Sequence, residues 1–338
     1  MPVDYATLTA RTQVRHLRRV ARSALAAWGL ADAELRLRHH GYNTTFSVRT
    51  PDGTRFALRI NVNAHKELVH LDAELVWLTA LARDTGLRVP RPLPTGEGAA
   101  YALVDSPGHG RRLPAVLFTW LRGRHPSESS PTRAQVLALG RTTALLHTHA
   151  ESWSMPPGAA LPRIDTVLMN VPDRLSGGHP ALPPGGREVI AEAMQVIQAG
   201  YDALLARSAS LPLHADLHTG NLLWDAGRLG VLDFDDAGIG VRAQDLAISA
   251  YYLRDDARAE EWLLEGYAAE RALPEVSTAE FEAVVASRNL VLANDLVAAE
   301  NAELRALVER YLITTVARMR HYLATGRYVA QAPGVVSL

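Results

Sequence analysis

The sequence predicts an α+β protein in two lobes, a small one built on an antiparallel sheet with one key helix and a larger, mainly helical one. Three observations carry this. Strand-like segments cluster early, in the order strand-strand-strand-helix-strand-strand over residues 35–119. Helical spacing dominates after residue 132. A turn-rich stretch from Gly123 to Pro131 lies between them. The first lobe is therefore drawn over residues 1–121 and the second over 122–338. A chain of 338 residues, 48% of them hydrophobic, has material for a core in each.

Taken in order, residues 6–28 read as an amphipathic helix whose stripe of Val14, Leu17, Val20 and Leu25 packs on the folded body. Strands follow at 35–39 and 45–49, then the turn Pro51-Asp52-Gly53 and a strand at 55–62. Leu68, Leu71, Leu75, Leu78 and Leu81 recur at helical steps and place a helix over 67–83. Two more strands are expected at 99–105 and 115–119. Helices are expected at 132–149, 187–207 and 303–323, with a helical region from Asp245 onward. Residues 154–186 are rich in Pro and Gly and long for a connector, as a functional loop, a mobile lid or a loosely ordered surface loop would be.

Composition removes several classes of function. The net charge is −1, so no global field favours nucleic acid or an anionic membrane. Cysteine is absent, which excludes disulfides, thiolate metal sites and a cysteine nucleophile, and fits a cytoplasmic, reducing location. No apolar run approaches the roughly 20 residues of a membrane span. The N-terminal segment carries five arginines between Arg11 and Arg22 but no apolar core of a secretory signal.

The chemistry is concentrated in His214-Ala215-Asp216-Leu217-His218-Thr219-Gly220-Asn221, followed by an apolar strand that ends in Asp233-Phe234-Asp235-Asp236. A carboxylate, an amide five residues on, and a second carboxylate past the next strand suit phosphoryl transfer. Asp216 is the candidate catalytic base that orients and deprotonates a hydroxyl. Asn221 and Asp233 are the candidate magnesium ligands against the phosphates of a nucleotide. A buried acid at the end of the 229–232 strand is costly unless a cation meets it. His214 reads as a core histidine that holds the loop. His214-x-Asp216-x-His218 also admits a zinc or iron metallohydrolase, with His147 and His149 as further ligands, although that reading leaves Asn221 and Asp233 without roles.

The same residues resemble the aminoglycoside phosphotransferase and choline/homoserine kinase-like group, whose loop reads H-G-D-x-H-x-x-N before an apolar strand ending in Asp. Ala215 stands where protein kinases have Arg. The resemblance runs from about Leu35 to about Leu253 and implies a bilobal protein-kinase-like fold with Mg2+ and ATP, or GTP, in the cleft. It implies that Arg59 on the third strand, paired with Glu74 on the following helix, steadies the phosphates, with Lys66 (the only lysine) and Glu67 as alternatives. No G-x-G-x-x-G loop is present; Asn43 and Thr44 in the first hairpin turn are the candidate phosphate contacts. Backbone near Thr119 and Leu121 is the candidate adenine hinge. Asp245 matches a position that braces the catalytic loop. With no room for an activation loop before Asp245, activity independent of phosphorylation is expected.

The acceptor is expected to be a small hydroxyl compound, an amino alcohol, homoserine-like compound, sugar or aminoglycoside, bound by residues 154–186 and the helices after Asp245. Asn294 or Asp295 is a candidate for that cleft. Among carboxylates the insert holds only Asp165 and Asp173, which is sparse for a polycation. A protein serine/threonine acceptor and a nucleotide-binding pseudokinase are the rivals.

Overall fold

The computed structural model describes residues 4–62 and 67–336. The chain opens with α1 (Ala10–Ala24), then β1 (Glu34–His40), β2 (Thr44–Arg49), β3 (Arg55–Ile60), α2 (Leu68–Asp84), β4 (Pro92–Leu93), β5 (Ala102–Ser106) and β6 (Arg111–Thr119). All six strands form one antiparallel sheet in the order β1-β2-β3-β6-β4. β5 shares the outer edge of β6 with β4, over Ala102–Ser106 against Arg111–Ala115. The two-residue β4 has no counterpart in the sequence reading, because a strand that short leaves no periodic signal.

The sheet separates two cores, and period-2 alternation decides which side each residue joins. Leu58 and Ile60 of β3, with Leu113, Ala115 and Leu117 of β6, face α1 through Leu17, Val20 and Ala21. The intervening Val116 and Phe118 face the other way, into a core shared with Trp77 and Leu78 of α2 and with the larger lobe. Arg59, between Leu58 and Ile60, is thereby turned toward α2. The expected stripe on α1 is buried at Leu17 and Val20, but a buried Gln13 sits beside it. Its amide donates to Glu300 O at 2.8 Å and accepts from Ala302 N–H at 3.0 Å, tying α1 to the larger lobe.

The larger lobe holds α3 (Arg133–Ser152), α4 (Gly186–Leu205), β7 (Ser210–Leu213), β8 (Leu222–Asp225), β9 (Arg228–Val231), β10 (Gly238–Val241), α5 (Arg242–Leu253), α6 (Ala257–Ala268), α7 (Thr278–Ala298), α8 (Ala302–Arg305) and α9 (Val308–Thr325). The helix expected at 303–323 is two elements, α8 and α9. A capping box of Thr132 and Gln135 starts α3. Its Gly140 lets α6 approach so closely that a Cβ there would lie 2.1 Å from Leu263 O. At the lobe junction Gly123 takes φ 139°, and Arg124 and Trp224 exchange backbone hydrogen bonds of 3.0 and 2.8 Å.

Residues 153–185 have no regular elements, but they are packed rather than loose. Leu161, Ile164, Leu168 and Leu175 are buried. Ile164 N–H donates to Ile239 O at 2.9 Å, and Gln244 Nε2 donates to Ile164 O at 2.6 Å. No helix among the described residues is long and apolar enough to cross a membrane.

Candidate active site

The loop after β7 is built around a buried carboxylate. Asp245, at the start of α5 and fully buried, accepts from His214 N–H at 3.2 Å, Ala215 N–H at 2.7 Å and His147 Nε2 at 3.1 Å. Burial opposes its charge, yet these partners hold its carboxyl below the usual range. Ala215 needs this support, since its φ of 62° is a left-handed conformation that costs a non-glycine residue about 1 kcal/mol or more. His214 is a core histidine, as expected. Its Nδ1 accepts from Asp216 N–H at 3.2 Å, so the proton sits on Nε2 and is donated to Leu232 O at 2.9 Å. Burial pushes its imidazole down, which keeps that neutral tautomer. The expected brace, Asp245, is therefore what holds the loop, and His214 ties the loop to the strand that leads to Asp233.

That tie brings the sequence-predicted trio together. Leu232 N–H donates to Asn221 O at 2.8 Å, fixing Asn221 beside the end of the β8–β9 hairpin where Asp233 begins. Asn221 Nδ2 donates to both Asp216 O (3.0 Å) and Asp216 Oδ2 (2.6 Å). Two acceptors there require the amide nitrogen, which leaves the amide oxygen for a metal. Asp233 adopts φ 57°, which turns its carboxyl off the strand direction toward the cleft. Solvent reaches it there. Even so, desolvation by the cleft walls, with Asp235, Asp216 and Glu74 nearby, pushes its carboxyl up to about 7 against the pull of Arg59. An acid so crowded by acids is a site for a cation, and one amide oxygen plus one carboxylate is the sparse hard-oxygen set that magnesium completes with water and phosphate. The residues fit the ion.

Arg59 and Glu74 form the expected pair. Arg59 Nη1 donates to Glu74 Oε1 at 2.8 Å and Nη2 to Oε2 at 2.7 Å, with both side chains buried. Asn61 Oδ1 accepts from Arg59 Nε at 3.1 Å, and Nη1 lies 3.6 Å from Asp233 Oδ1. Arg59 thus stands between its own acid and the candidate metal ligand. Lys66, the alternative cation, lies outside the described residues. Glu67, the alternative acid, stands exposed at the N-cap position of α2 without a side-chain capping bond.

Three expectations need correction. Thr44 is fully buried and its hydroxyl bonds His40 Nδ1 at 2.8 Å, because the hairpin alternation turns it inward. It is not a phosphate contact. Asn43 is a strut instead: Nδ2 donates to Asp235 Oδ2 at 2.9 Å and Oδ1 accepts from Val62 N–H at 3.1 Å, which locks the hairpin turn to the metal-side loop. Thr119 N–H donates to Arg91 O at 2.9 Å and its hydroxyl accepts from Arg91 N–H, so its N–H is spent on the residue ahead of β4 rather than offered to a base. Leu121 lies just beyond the end of β6.

The metallohydrolase constellation is not assembled. Both ring nitrogens of His147 have partners, Asp245 and Tyr267 OH (2.9 Å), and His149 lies beside Trp77, Trp153 and Asp84. No cluster of three or more His, Asp or Glu side chains suited to a metal occurs among the described residues. Asn294 does not face the cleft. It pins residues 172–174 of the connector, accepting from Arg174 N–H at 2.9 Å and donating to Pro172 O at 3.1 Å.

One site residue was not anticipated. Arg288 of α7, 4% exposed, bonds Asp216 Oδ1 through Nη2. Tyr252 OH accepts from its Nε at 3.2 Å and Nη2 at 3.0 Å. His218 stacks on Tyr252 at 4.5 Å between ring centres and brings Nε2 within 3.6 Å of Asp216 Oδ2. Burial works against the Asp216 charge, but Arg288 first, then His218 and His214, hold its carboxyl down to about 2. A signal was present in the sequence: Arg288 is the only charged residue between Ala283 and Ala293, in a mostly apolar helical stretch.

Comparison with known proteins gives the family and the fold. Residues 34–277 match the profile of the phosphotransferase enzyme family. An uncharacterized protein of Deinococcus radiodurans is 32% identical over 224 residues, 65% of this chain; the chain spans 62% of that relative's length. The structure of a microcompartment-associated aminopropanol kinase superposes with a TM-score of 0.72 at 24% identity, covering 93% of this chain and 100% of that one. An amicoumacin kinase in complex with AMP-PNP, Ca2+ and Ami superposes with a TM-score of 0.64 at 17% identity, covering 83% and 87%. At these identities the two structures establish the fold, a bilobal kinase-like one.

Proposed function

The chain belongs to the phosphotransferase enzyme family, and we propose that it is a kinase that moves the γ-phosphoryl group of magnesium-ATP to a hydroxyl of a small molecule. The observation that carries this reading is the junction of Asp216, Asn221 and Asp233 at the end of one hairpin, opposite the Arg59–Glu74 pair. In this reading residues 1–121 hold the nucleotide and 122–338 supply the base, the metal ligands and the acceptor pocket.

The residues divide the work. Leu121 backbone holds the base of the nucleotide at the hinge. Arg59, kept in place by Glu74 and Asn61, meets the phosphates with a fixed positive charge. Asn221 Oδ1 and Asp233 would hold magnesium, which when bound would supply positive charge against the phosphates. Asp216 orients the acceptor hydroxyl. The acceptor oxygen bonds to the γ-phosphorus as the bond to the β,γ-bridging oxygen breaks; the proton passes to Asp216 and ADP leaves. A carboxyl held at about 2 is a weak base, so its help is orientation and late proton capture, together about 10²–10⁴-fold.

The walls around Asp216 carry mixed charge. The Tyr42 hydroxyl is raised by burial first and then by Asp295 and Asp236, while Arg288 opposes them. With Tyr42, Tyr252 and His218 as aromatic walls, such a pocket suits a small amino alcohol or zwitterion better than a polycation. The test is mass-spectrometric detection of phosphorylated product from magnesium-ATP and a panel of aminoglycosides, choline, ethanolamine, aminopropanol, homoserine, sugars and a protein substrate. A phosphorylated amino alcohol or hydroxy amino acid is expected. Absence of any magnesium-dependent nucleotide binding would overturn the reading.

A further inference from the structure

Helix α5 holds the catalytic loop along one face. Asp245, Ser249 and Tyr252 lie four and then three residues apart, so their side chains share that face. They meet the loop in chain order. Asp245 holds the backbone N–H groups of His214 and Ala215. Ser249 Oγ donates to Leu217 O at 2.8 Å. The Tyr252 ring stacks on His218, with 4.5 Å between ring centres and 23° between the planes. The first two contacts fix the backbone on either side of Asp216. Tyr252 acts on the Asp216 side chain, through Arg288.

Arg288 enters from α7 and joins the two. Tyr252 OH accepts from its Nε at 3.2 Å and its Nη2 at 3.0 Å, and Nη2 also donates to Asp216 Oδ1. A planar guanidinium bonded twice to one hydroxyl has little freedom to turn. The aspartate depends on such a partner, because the terminal torsion of its side chain is broad and two-fold and does not fix the carboxylate plane. Asn221 Nδ2 binds Oδ2 at 2.6 Å and Arg288 binds Oδ1, so the carboxylate is held at both ends. Each oxygen keeps a second lone pair. With the plane held, those lone pairs point in fixed directions. The side chain is 16% exposed, so an acceptor hydroxyl can donate there with Arg288 in place.

Stability does not call for a cation at this point. Apolar residues of similar volume serve an interior as well as a buried ion pair, or better. Yet Arg288 is 4% exposed and is the only charged residue between Ala283 and Ala293. Resting on the phosphotransferase reading, we propose that Tyr252 and Arg288 are a pair of positioning residues that fix the plane of the Asp216 carboxylate, and with it the direction in which the acceptor hydroxyl is held. Among the described residues neither bonds Arg59, Asn221 or Asp233, so the pair acts on turnover rather than on nucleotide affinity.

The experiment is phosphate release from magnesium-ATP by the full-length chain, with water as the acceptor. The water oxygen bonds to the γ-phosphorus, the β,γ-bridging bond breaks, the proton passes to Asp216 and on to solvent, and ADP and inorganic phosphate leave. Rates are taken per nucleotide-binding site counted by calorimetry, so a misfolded fraction does not enter. Arg288→Met should lower kcat about tenfold, with the KM for magnesium-ATP within about twofold of wild type. Tyr252→Phe, which keeps the ring and its stack on His218, should lower kcat about threefold with the same split. The double variant should match Arg288→Met, because the hydroxyl acts through the guanidinium. Arg288→Lys should recover part of the loss, since a charged donor returns beside Oδ1. A merely structural pair would lower the number of binding sites and leave the rate per site unchanged. Wild-type release per site in Arg288→Met and Tyr252→Phe, or losses that multiply in the double variant, would overturn the proposal. If Arg288→Met does not fold, the conservative Tyr252→Phe decides by the same split. Absence of magnesium-dependent nucleotide binding by the wild-type chain is the separate result that would strike the phosphotransferase reading itself.

Discussion

Replacing Glu74 by Ala tests the nucleotide half of the site through stability as well as activity. The substitution strands a guanidinium that is 6% exposed and bonded by two short contacts, 2.8 and 2.7 Å, to the lost carboxylate. Burial opposes the Arg59 charge, and Glu74 followed by Asp235 is what raises its pKa despite that. Breaking one side of such a pair costs about 3–5 kcal/mol, because the remaining charge is buried without its partner. Arg59 keeps Asn61 at 3.1 Å and can lean on Asp233 at 3.6 Å, so the lower end, about 3 kcal/mol, is expected. Urea unfolding of Glu74→Ala, Arg59→Met and the double variant isolates the pair term. The double variant should lose at least about 2 kcal/mol less than the sum of the singles. The KM for ATP should rise about tenfold in Glu74→Ala, since Arg59 is free to fall onto Asp233. A loss under about 1 kcal/mol with additive singles would refute the claim that the two residues act as one unit.

Three further outcomes follow from the same geometry. Asp233→Asn should raise the magnesium concentration needed for half-maximal nucleotide binding at least about tenfold, a loss of about 1.4 kcal/mol measurable by calorimetric titration; an unchanged magnesium dependence would remove Asp233 from the metal site. Asp245→Asn replaces one acceptor oxygen by an amide N–H that must face either the His214 or the Ala215 backbone N–H, and should cost about 3 kcal/mol of stability together with turnover, read by urea unfolding and initial rates. His109, lowered to about 4 by burial and then by His16 and Arg111 against Asp4, titrates below its unfolded value of about 6.5. The unfolded chain therefore binds a proton that the folded one does not, and stability falls as pH drops from about 6.5 toward about 4. His109→Gln should flatten that decline in a series of urea midpoints, and parallel curves would contradict the assignment.

The meeting of the candidate catalytic residues was legible in the sequence because the parts of that segment are local. Asp216, Asn221 and Asp233 lie within one loop and one hairpin, so their spacing fixes their geometry. Arg59 and Glu74 were legible through the family resemblance, which sets a cation on the third strand against an acid on the following helix. The strands of the sheet and their order along the chain were legible too, apart from the two-residue β4. What failed depended on contacts remote in sequence. Thr44 and Asn43 looked like turn residues offered to phosphate, but burial and a bond to Asp235 claimed them. Thr119 gave its donor to Arg91, across an edge pairing that no local pattern announces. Arg288 meets Asp216 from 72 residues away, and only its being the one charge in the mostly apolar stretch 283–293 hinted at a charged partner.

The most direct test of the account compares wild type with Asp216→Ala in two assays on one preparation, acceptor phosphorylation at saturating magnesium-ATP and calorimetric binding of magnesium-ATP. The account predicts a fall in kcat of about 10²–10⁴-fold with nucleotide affinity within about threefold of wild type. Phosphorylation that survives the substitution at the wild-type rate would contradict it, because Asp216 would then have no part in the chemistry its neighbours are arranged around.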